Sequence, residues 1–113
     1  MESIKHILPK IYELADNDKE YLLELRQLYL NFFSNLIIQY ENLLKEEKKK
    51  ELSVMIHKIK PAMQYLHLQK LEDLLNEGVL MLKNTTNSTE KMNENIKKVI
   101  IFCEEALKEI HKI

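Results

Sequence analysis

The chain has 113 residues, of which 45% are hydrophobic and 31% charged, and its formal net charge is −1 at pH 7. This length fits one domain, and the near-neutral charge gives no global reason to expect nucleic acid or an anionic membrane as a partner. The single cysteine excludes an intrachain disulfide and fits a reducing cytoplasm, and no apolar run reaches the ~20 residues of a membrane span.

Long helices are predicted along the chain, because it contains only one glycine and two prolines. Residues 1–8 are predicted to be a lead-in to a domain that spans residues 9–113. Asn17, with Glu20 three residues later, is typical of the start of a helix. The predicted helices run from Pro9 to Ala15, Asp18 to Glu46, Lys49 to Leu66 and Leu68 to Lys83, and a last one, after a polar loop at residues 84–89, carries an apolar stripe from Met92 to Ile110.

These helices predict an all-α fold, namely an antiparallel up-down four-helix bundle with a short extra N-terminal helix. The apolar residues of the second helix cover well over half of its circumference, more than one core face needs. Burial against two neighbouring helices explains most of this width. Part of the excess is a candidate partner-binding patch, with Tyr21, Phe33 and Ile37 as its residues.

His57 stands out in the third helix because it lies opposite the apolar stripe. At about 100° per residue, the apolar positions of this helix from Leu52 to Leu66 cluster on one side. On the opposite side, four residues fall within about 60° of His57, namely Ser53, Lys60, Pro61 and Gln64. The pattern therefore predicts an exposed imidazole with an ammonium group one helical turn away.

This arrangement suits phosphoryl chemistry. An imidazole is mostly neutral at cytoplasmic pH, so one ring nitrogen of His57 keeps a free lone pair and is a competent nucleophile toward phosphorus. Lys60 would offset the charge of an attached phosphoryl group, and Gln64 would hydrogen-bond its oxygens.

Other chemistries find little support in the sequence. The four histidines form no His-x-x-x-His or Glu-x-x-His pattern, so no metal site is expected. One glycine cannot build a phosphate-binding loop, and there is no nucleophile elbow for a hydrolase. Cys103 lies in the apolar stripe of the last helix and is predicted to be a core residue.

The segment His57-Lys58-Ile59-Lys60, followed by an apolar-patterned stretch that ends Leu66-His67-Leu68, resembles the histidine phosphotransfer domain of multistep two-component phosphorelays. The pattern of that family is His-x-Leu/Ile-Lys-Gly, a few small residues, and a hydrophobic-Gly-Leu ending before the next helix. The resemblance extends from about Ile11 to Ile113, because the order and lengths of the predicted helices also agree.

The resemblance implies a mechanism and partners. His57 would take a phosphoryl group from an aspartate of one response-regulator receiver domain and pass it to an aspartate of another, with a hybrid sensor histidine kinase upstream. Such a domain is a monomeric phosphocarrier without catalytic machinery or a cofactor of its own, and Mg²⁺ is expected only on the receiver. Lys60 carries over as the lysine near the phosphoacceptor. On the same face, Ser53 and Pro61 are candidate partner contacts.

Two residues depart from the family pattern. The glycine that follows the lysine is Pro61 here, and the second glycine is His67. Three alternatives therefore stay open. In the first, the chain would be a degenerate adaptor that binds a receiver or kinase without being phosphorylated. In the second it would be a purely structural bundle, and in the third a kinase dimerisation domain, which would form a dimer.

Overall fold

The computed structural model describes residues 4–84 and 89–113, and every regular element in these two ranges is helical. A 3-10 turn, Ile4–His6, leads into five α-helices within these ranges: α1 (Ile7–Ala15), α2 (Lys19–Lys45), α3 (Lys49–Tyr65), α4 (Gln69–Lys83) and α5 (Thr89–Ile110). The prediction of an all-α fold is confirmed. In the described part of the chain, no helix is both long and apolar enough to cross a lipid bilayer.

The N-terminal helix begins earlier than predicted. It starts at Ile7, two residues before Pro9. Pro9 is thus the third residue of α1, where a backbone N–H has no partner within the helix, so the missing donor costs nothing. Ile7 is fully buried and Ile4 packs against the core. The predicted start of this helix is two residues too late, because this apolar pair extends the packed segment toward the N-terminus.

The start of α2 also differs from its prediction. Asn17 has a left-handed backbone with a φ of 67°, whereas an N-cap residue normally has an extended backbone. Asp18 has that conformation, and its carboxylate accepts a hydrogen bond of 3.1 Å from the Tyr21 backbone N–H. The cap is therefore Asp18, one residue later than predicted. Residues 85–88 of the predicted polar loop lie outside the described residues.

The core is formed by side chains from every helix. Helix α2 packs against α1, α3 and α5, and α4 packs against α3 and α5. Cys103 has no exposed surface, as predicted for a core residue. Other fully buried side chains are Ile11, Phe33, Leu44, Leu52, Met63, Leu75 and Val99.

A buried polar contact joins α2, α4 and α5 inside this core. The Tyr40 hydroxyl donates a hydrogen bond to Oδ1 of Asn95, and Nδ2 of Asn95 donates to the Leu74 carbonyl oxygen at 3.0 Å. Burial, with the nearby Glu77 charge, raises the pKa of Tyr40 above its ordinary value. The hydroxyl lies against the backbone of Gly78, where an added Cβ would overlap it. Gly78 therefore gives Tyr40 room to reach Asn95.

The Cys103 thiol is expected to be unreactive in the folded protein. Burial, followed by the Glu104 charge, raises its pKa to about 12, so almost no thiolate is present at pH of about 8. A thiol reagent such as Ellman's should react slowly with the native chain and fast in denaturant. Ser53→Cys is the matched control, since that exposed position should react at once. Rapid reaction of native Cys103 would contradict this packing.

Candidate functional site

Helix α3 exposes His57, as its pattern predicts. Leu52, Ile56 and Met63 are buried against the core, and Met55 and Ile59 are partly buried against it. His57 and Lys60 lie on the other side and are exposed. Because the core fixes the apolar face of α3, both residues stay on its exposed face.

An open cleft of about 200 Å³ lies between α3 and α4, and it is called the His57 cleft below. Its polar lining consists of Ser53, His57 and Lys60 from α3 and Glu72 and Asn76 from α4. Two apolar side chains complete it, Ile56 and Val79. The His57 imidazole therefore faces a space that a small anionic group can enter.

Four polar side chains of this cleft have no partner among the residues that the structure describes. Within residues 4–84 and 89–113, the imidazole of His57, the ammonium of Lys60 and the carboxylate of Glu72 make no hydrogen bond or ion pair. The same holds for the Asn76 amide in this part of the chain. A ligand that enters the cleft would thus meet donors and charges that are not already paired.

The short connection between α3 and α4 explains why these residues meet. Leu66 and Leu68 are buried, and His67 between them has a left-handed backbone with a φ of 56°. The His67 N–H bonds the Gln64 carbonyl at 3.2 Å, and the Leu68 N–H bonds the Met63 carbonyl at 2.8 Å. This is a Schellman ending, in which glycine usually takes the left-handed position. His67 adopts the same backbone, so the turn forms without glycine.

The N-terminal segment completes the end of α3. Nε2 of His6 lies 2.7 Å from the Leu66 carbonyl oxygen and 3.1 Å from that of His67. Both partners are acceptors, so Nε2 carries the proton and donates to them. These carbonyls lie at a helix end, where groups need partners from outside the helix. His6 is thus a capping residue that the sequence alone did not indicate.

The predicted site residues are only partly brought together. Ser53, His57 and Lys60 share the His57 cleft. Gln64 is exposed but lines the neighbouring cleft, together with His67 and Glu72. Pro61 is exposed but is not among the lining residues of either cleft. The side chains that the structure adds to the predicted set are Glu72 and Asn76 of α4.

The predicted surface patch on α2 needs correction. Phe33 has no exposed surface and packs edge-on against Phe32, with ring centroids 4.9 Å apart. It is a core residue and cannot contact a partner, because it lies on the face of α2 that points inward. Ile37 is half-buried against the core, and Tyr21 is 40% exposed.

A different apolar surface lies between α2 and α3, on the side of α3 away from the His57 cleft. This α2–α3 groove has a volume of about 410 Å³. The Leu28 side chain on its rim is 59% exposed. Apolar residues that line the groove include Leu28, Tyr29, Phe32, Leu36, Met55 and Ile59, and Lys58 lies beside them. The wide apolar coverage of α2 is the sequence signal that corresponds to this groove.

A metal-binding arrangement is not apparent in the described residues, where no three His, Cys, Asp or Glu side chains group as metal ligands would. The cleft combines an accessible imidazole, an ammonium one turn away and an amide across from them. An imidazole nitrogen is a nucleophile, and the ammonium favours a product that carries negative charge. The chemistry that this set suits is the acceptance of an anionic group by His57.

No family model, no curated protein and no solved structure matches this chain.

Proposed function

We propose that this protein is a histidine-containing phosphotransfer protein of a multistep two-component phosphorelay, with His57 as the phosphoacceptor. The observation that carries the proposal is the exposed His57 imidazole, with Lys60 one turn away, in an open cleft. The same proposal includes the finer architecture, in which α2–α5 form an antiparallel up-down bundle and α1 is the extra helix. The protein would act as a monomer in the cytoplasm.

In the proposed reaction, a neutral His57 nitrogen attacks the phosphorus of an aspartyl phosphate on a receiver domain. A nitrogen–phosphorus bond forms while the bond from phosphorus to the aspartate oxygen breaks, and the carboxylate leaves with the electron pair. The imidazolium then gives its ring proton to solvent. The reverse steps deliver the phosphoryl group to the aspartate of a second receiver. The receiver supplies Mg²⁺, and this chain supplies the nucleophile and the charge of Lys60.

The α2–α3 groove is the proposed docking surface for the receiver. It lies on the side of α3 away from the His57 cleft, but its Lys58 directly follows His57 along the helix, so a receiver seated on it would extend across α3 to the imidazole. Exposed Leu28, half-buried Phe32 and Met55 supply apolar area, and Lys58 adds a positive charge that suits an acidic site around the receiver's aspartate. A hybrid sensor histidine kinase would present its receiver in the same way.

The direct test is phosphorylation of the intact chain. Potassium phosphoramidate is used first, because it transfers phosphoryl groups to imidazoles without a partner, and phosphorylated receivers from the source organism follow. We expect an acid-labile, base-stable label that mass spectrometry places on His57. Transfer from a receiver would support a relay partner. Absence of label with both donors would overturn the proposal.

Lys60→Ala is expected to shorten the lifetime of phosphohistidine and slow phosphoryl transfer by about 3- to 10-fold, because one charge that offsets the phosphoryl group is lost. The fold should be unaffected, since Lys60 is exposed. Lys49→Ala is the matched control, because Lys49 is an exposed lysine of the same helix that lines neither the cleft nor the groove. An unchanged lifetime and rate in Lys60→Ala would remove the assigned role of Lys60.

The adaptor alternative, which binds a receiver or kinase without being phosphorylated, is favoured by one observation. Pro61 is exposed beside Lys60, where the resembling family has a glycine that allows close approach. The adaptor predicts that a receiver binds the chain without transferring its phosphoryl group, and that His57→Gln keeps full signalling in a reconstituted relay. Pro61→Gly would then be expected to restore transfer.

A further inference from the structure

Glu72 occupies a central place on the polar side of α3 and α4. Its half-buried side chain lines the His57 cleft together with Lys60. It also lines the neighbouring cleft, together with Gln64 and His67. Glu72 is thus shared by the two clefts, and its carboxylate borders the space in front of the His57 imidazole.

The charges in the His57 cleft are evenly matched before any ligand enters. Lys60 and Glu72 are the two lining residues that carry a full charge at neutral pH. In the described part of the chain, no ion pair within 4 Å joins them or joins Glu72 to another cation. The carboxylate is therefore not neutralised by a contact. Among the residues that line the second cleft, His67 is the titratable side chain besides Glu72.

A phosphoryl group on His57 changes this balance, because it brings about −1.5 to −2 charges into the same cleft. Lys60 attracts these charges and Glu72 repels them. Salt partly screens the repulsion between Glu72 and the phosphoryl group, since the cleft is open to solvent. The net effect is a phosphohistidine that is less stable than Lys60 alone would make it.

We propose that Glu72 destabilises the phosphorylated form of His57 through its charge and so makes His57 a transient carrier that readily releases its phosphoryl group. This inference rests on the proposed phosphotransfer function and concerns how long the phosphoryl group stays on the same site. Glu72 acts here by repelling the anionic group, both as it arrives and while it is attached. Sequence reasoning does not select Glu72, since acidic pairs such as Glu72-Asp73 are ordinary on helix surfaces.

The test uses potassium phosphoramidate as the donor and needs no partner protein. The His57 nitrogen attacks phosphorus, the phosphorus–nitrogen bond of the donor breaks, and the released amine leaves as ammonia after taking up a proton. The second-order loading rate and the lifetime of phosphohistidine are followed by ³¹P NMR at one fixed, mildly alkaline pH. Wild type, Glu72→Gln and Glu72→Lys are compared at low and high salt.

We expect Glu72→Gln to load about 3- to 10-fold faster and to hold the phosphoryl group longer, because one repelling charge is removed. Glu72→Lys should raise the loading rate and the lifetime further, and high salt should reduce the differences of both variants from wild type. Glu77→Gln is the matched control, because Glu77 is exposed on α4 and does not line the His57 cleft. The loading rate and lifetime of Glu77→Gln should stay within about 1.5-fold of wild type, since the charge of Glu77 lies farther from the imidazole.

The outcomes separate this inference from the proposed function. If the wild type takes no label on His57, the proposed function fails. If the wild type is labelled but Glu72→Gln loads and decays at wild-type rates, only the role of Glu72 is overturned. Equal acceleration in Glu72→Gln and Glu77→Gln would also overturn it, since the effect would then reflect net charge alone. A merely structural role for Glu72 would not produce a graded, salt-dependent response to charge.

Discussion

His57→Gln is expected to lose acid-labile phosphorylation by a receiver, and label from phosphoramidate at position 57, while it keeps its fold. The amide nitrogen of glutamine is a poor nucleophile because its lone pair is delocalised, so no nitrogen–phosphorus bond forms. The side chain is exposed, and exposed substitutions normally change the free energy of unfolding by no more than about 0.5 kcal/mol. Label from phosphoramidate and from a receiver would be measured beside circular dichroism and thermal unfolding.

The matched control for this substitution is His67→Gln. Both imidazoles are exposed, but His67 lies beyond the end of α3 and lines the second cleft with Gln64. His67→Gln should keep its label. The result that contradicts His57 as the acceptor is the reverse pattern, in which His57→Gln is labelled and His67→Gln is not.

Gly78→Ala is expected to destabilise the protein by about 2 kcal/mol. The added Cβ overlaps the Tyr40 hydroxyl and lies 3.0 Å from the ring carbon that bears it. Overpacking of this kind costs about 1–3 kcal/mol, and displacing the hydroxyl from Asn95 costs about 1–2 kcal/mol more. The better helix propensity of alanine returns about 1 kcal/mol. Thermal unfolding should show a midpoint lower by about 10 °C.

Two further variants test the cause of this loss. Glu77→Ala changes the exposed neighbour on α4 and should stay within about 0.5 kcal/mol of wild type. Tyr40→Phe removes the overlapping hydroxyl, so the double variant Tyr40→Phe/Gly78→Ala should lose less stability than the sum of the two single changes. Strict additivity of the two changes would show that Tyr40 does not fill the space beside Gly78.

The helices and the exposure of His57 could be predicted because they depend on local periodicity. The apolar positions of α3 repeat with the helical period, and this alone places Leu52 and Met63 inside and His57 outside. The same reasoning places Cys103 in the core. Helix α2 is the exception, because apolar residues cover so much of its surface that periodicity does not tell Phe33, which is buried, from Leu28, which is exposed.

Residues from other helices could not be assigned to the site in this way. Glu72 and Asn76 meet His57 only after α3 and α4 fold back on each other around Leu66 and Leu68. When two helices are joined by a short turn, residues at equal distances from the turn along the chain face each other. His57 and Asn76 lie at nearly equal distances from the turn at His67. The predicted helix ends already place this turn between Leu66 and Leu68, but the side chains that face the cleft depend on how α3 and α4 are rotated against each other, which the pattern of neither helix fixes. The shift of the α2 cap to Asp18 was equally hidden, since the left-handed backbone of Asn17 was not visible in the sequence.

The contact between His6 and the end of α3 has a consequence for how the protein folds. The two groups are separated by 60 residues along the chain, so their meeting closes a long loop and comes late for entropic reasons. By contrast, α3 and α4 are neighbours in sequence and can pair early. We therefore expect the His6 contact to form after α3 and α4 have paired and to open before they separate.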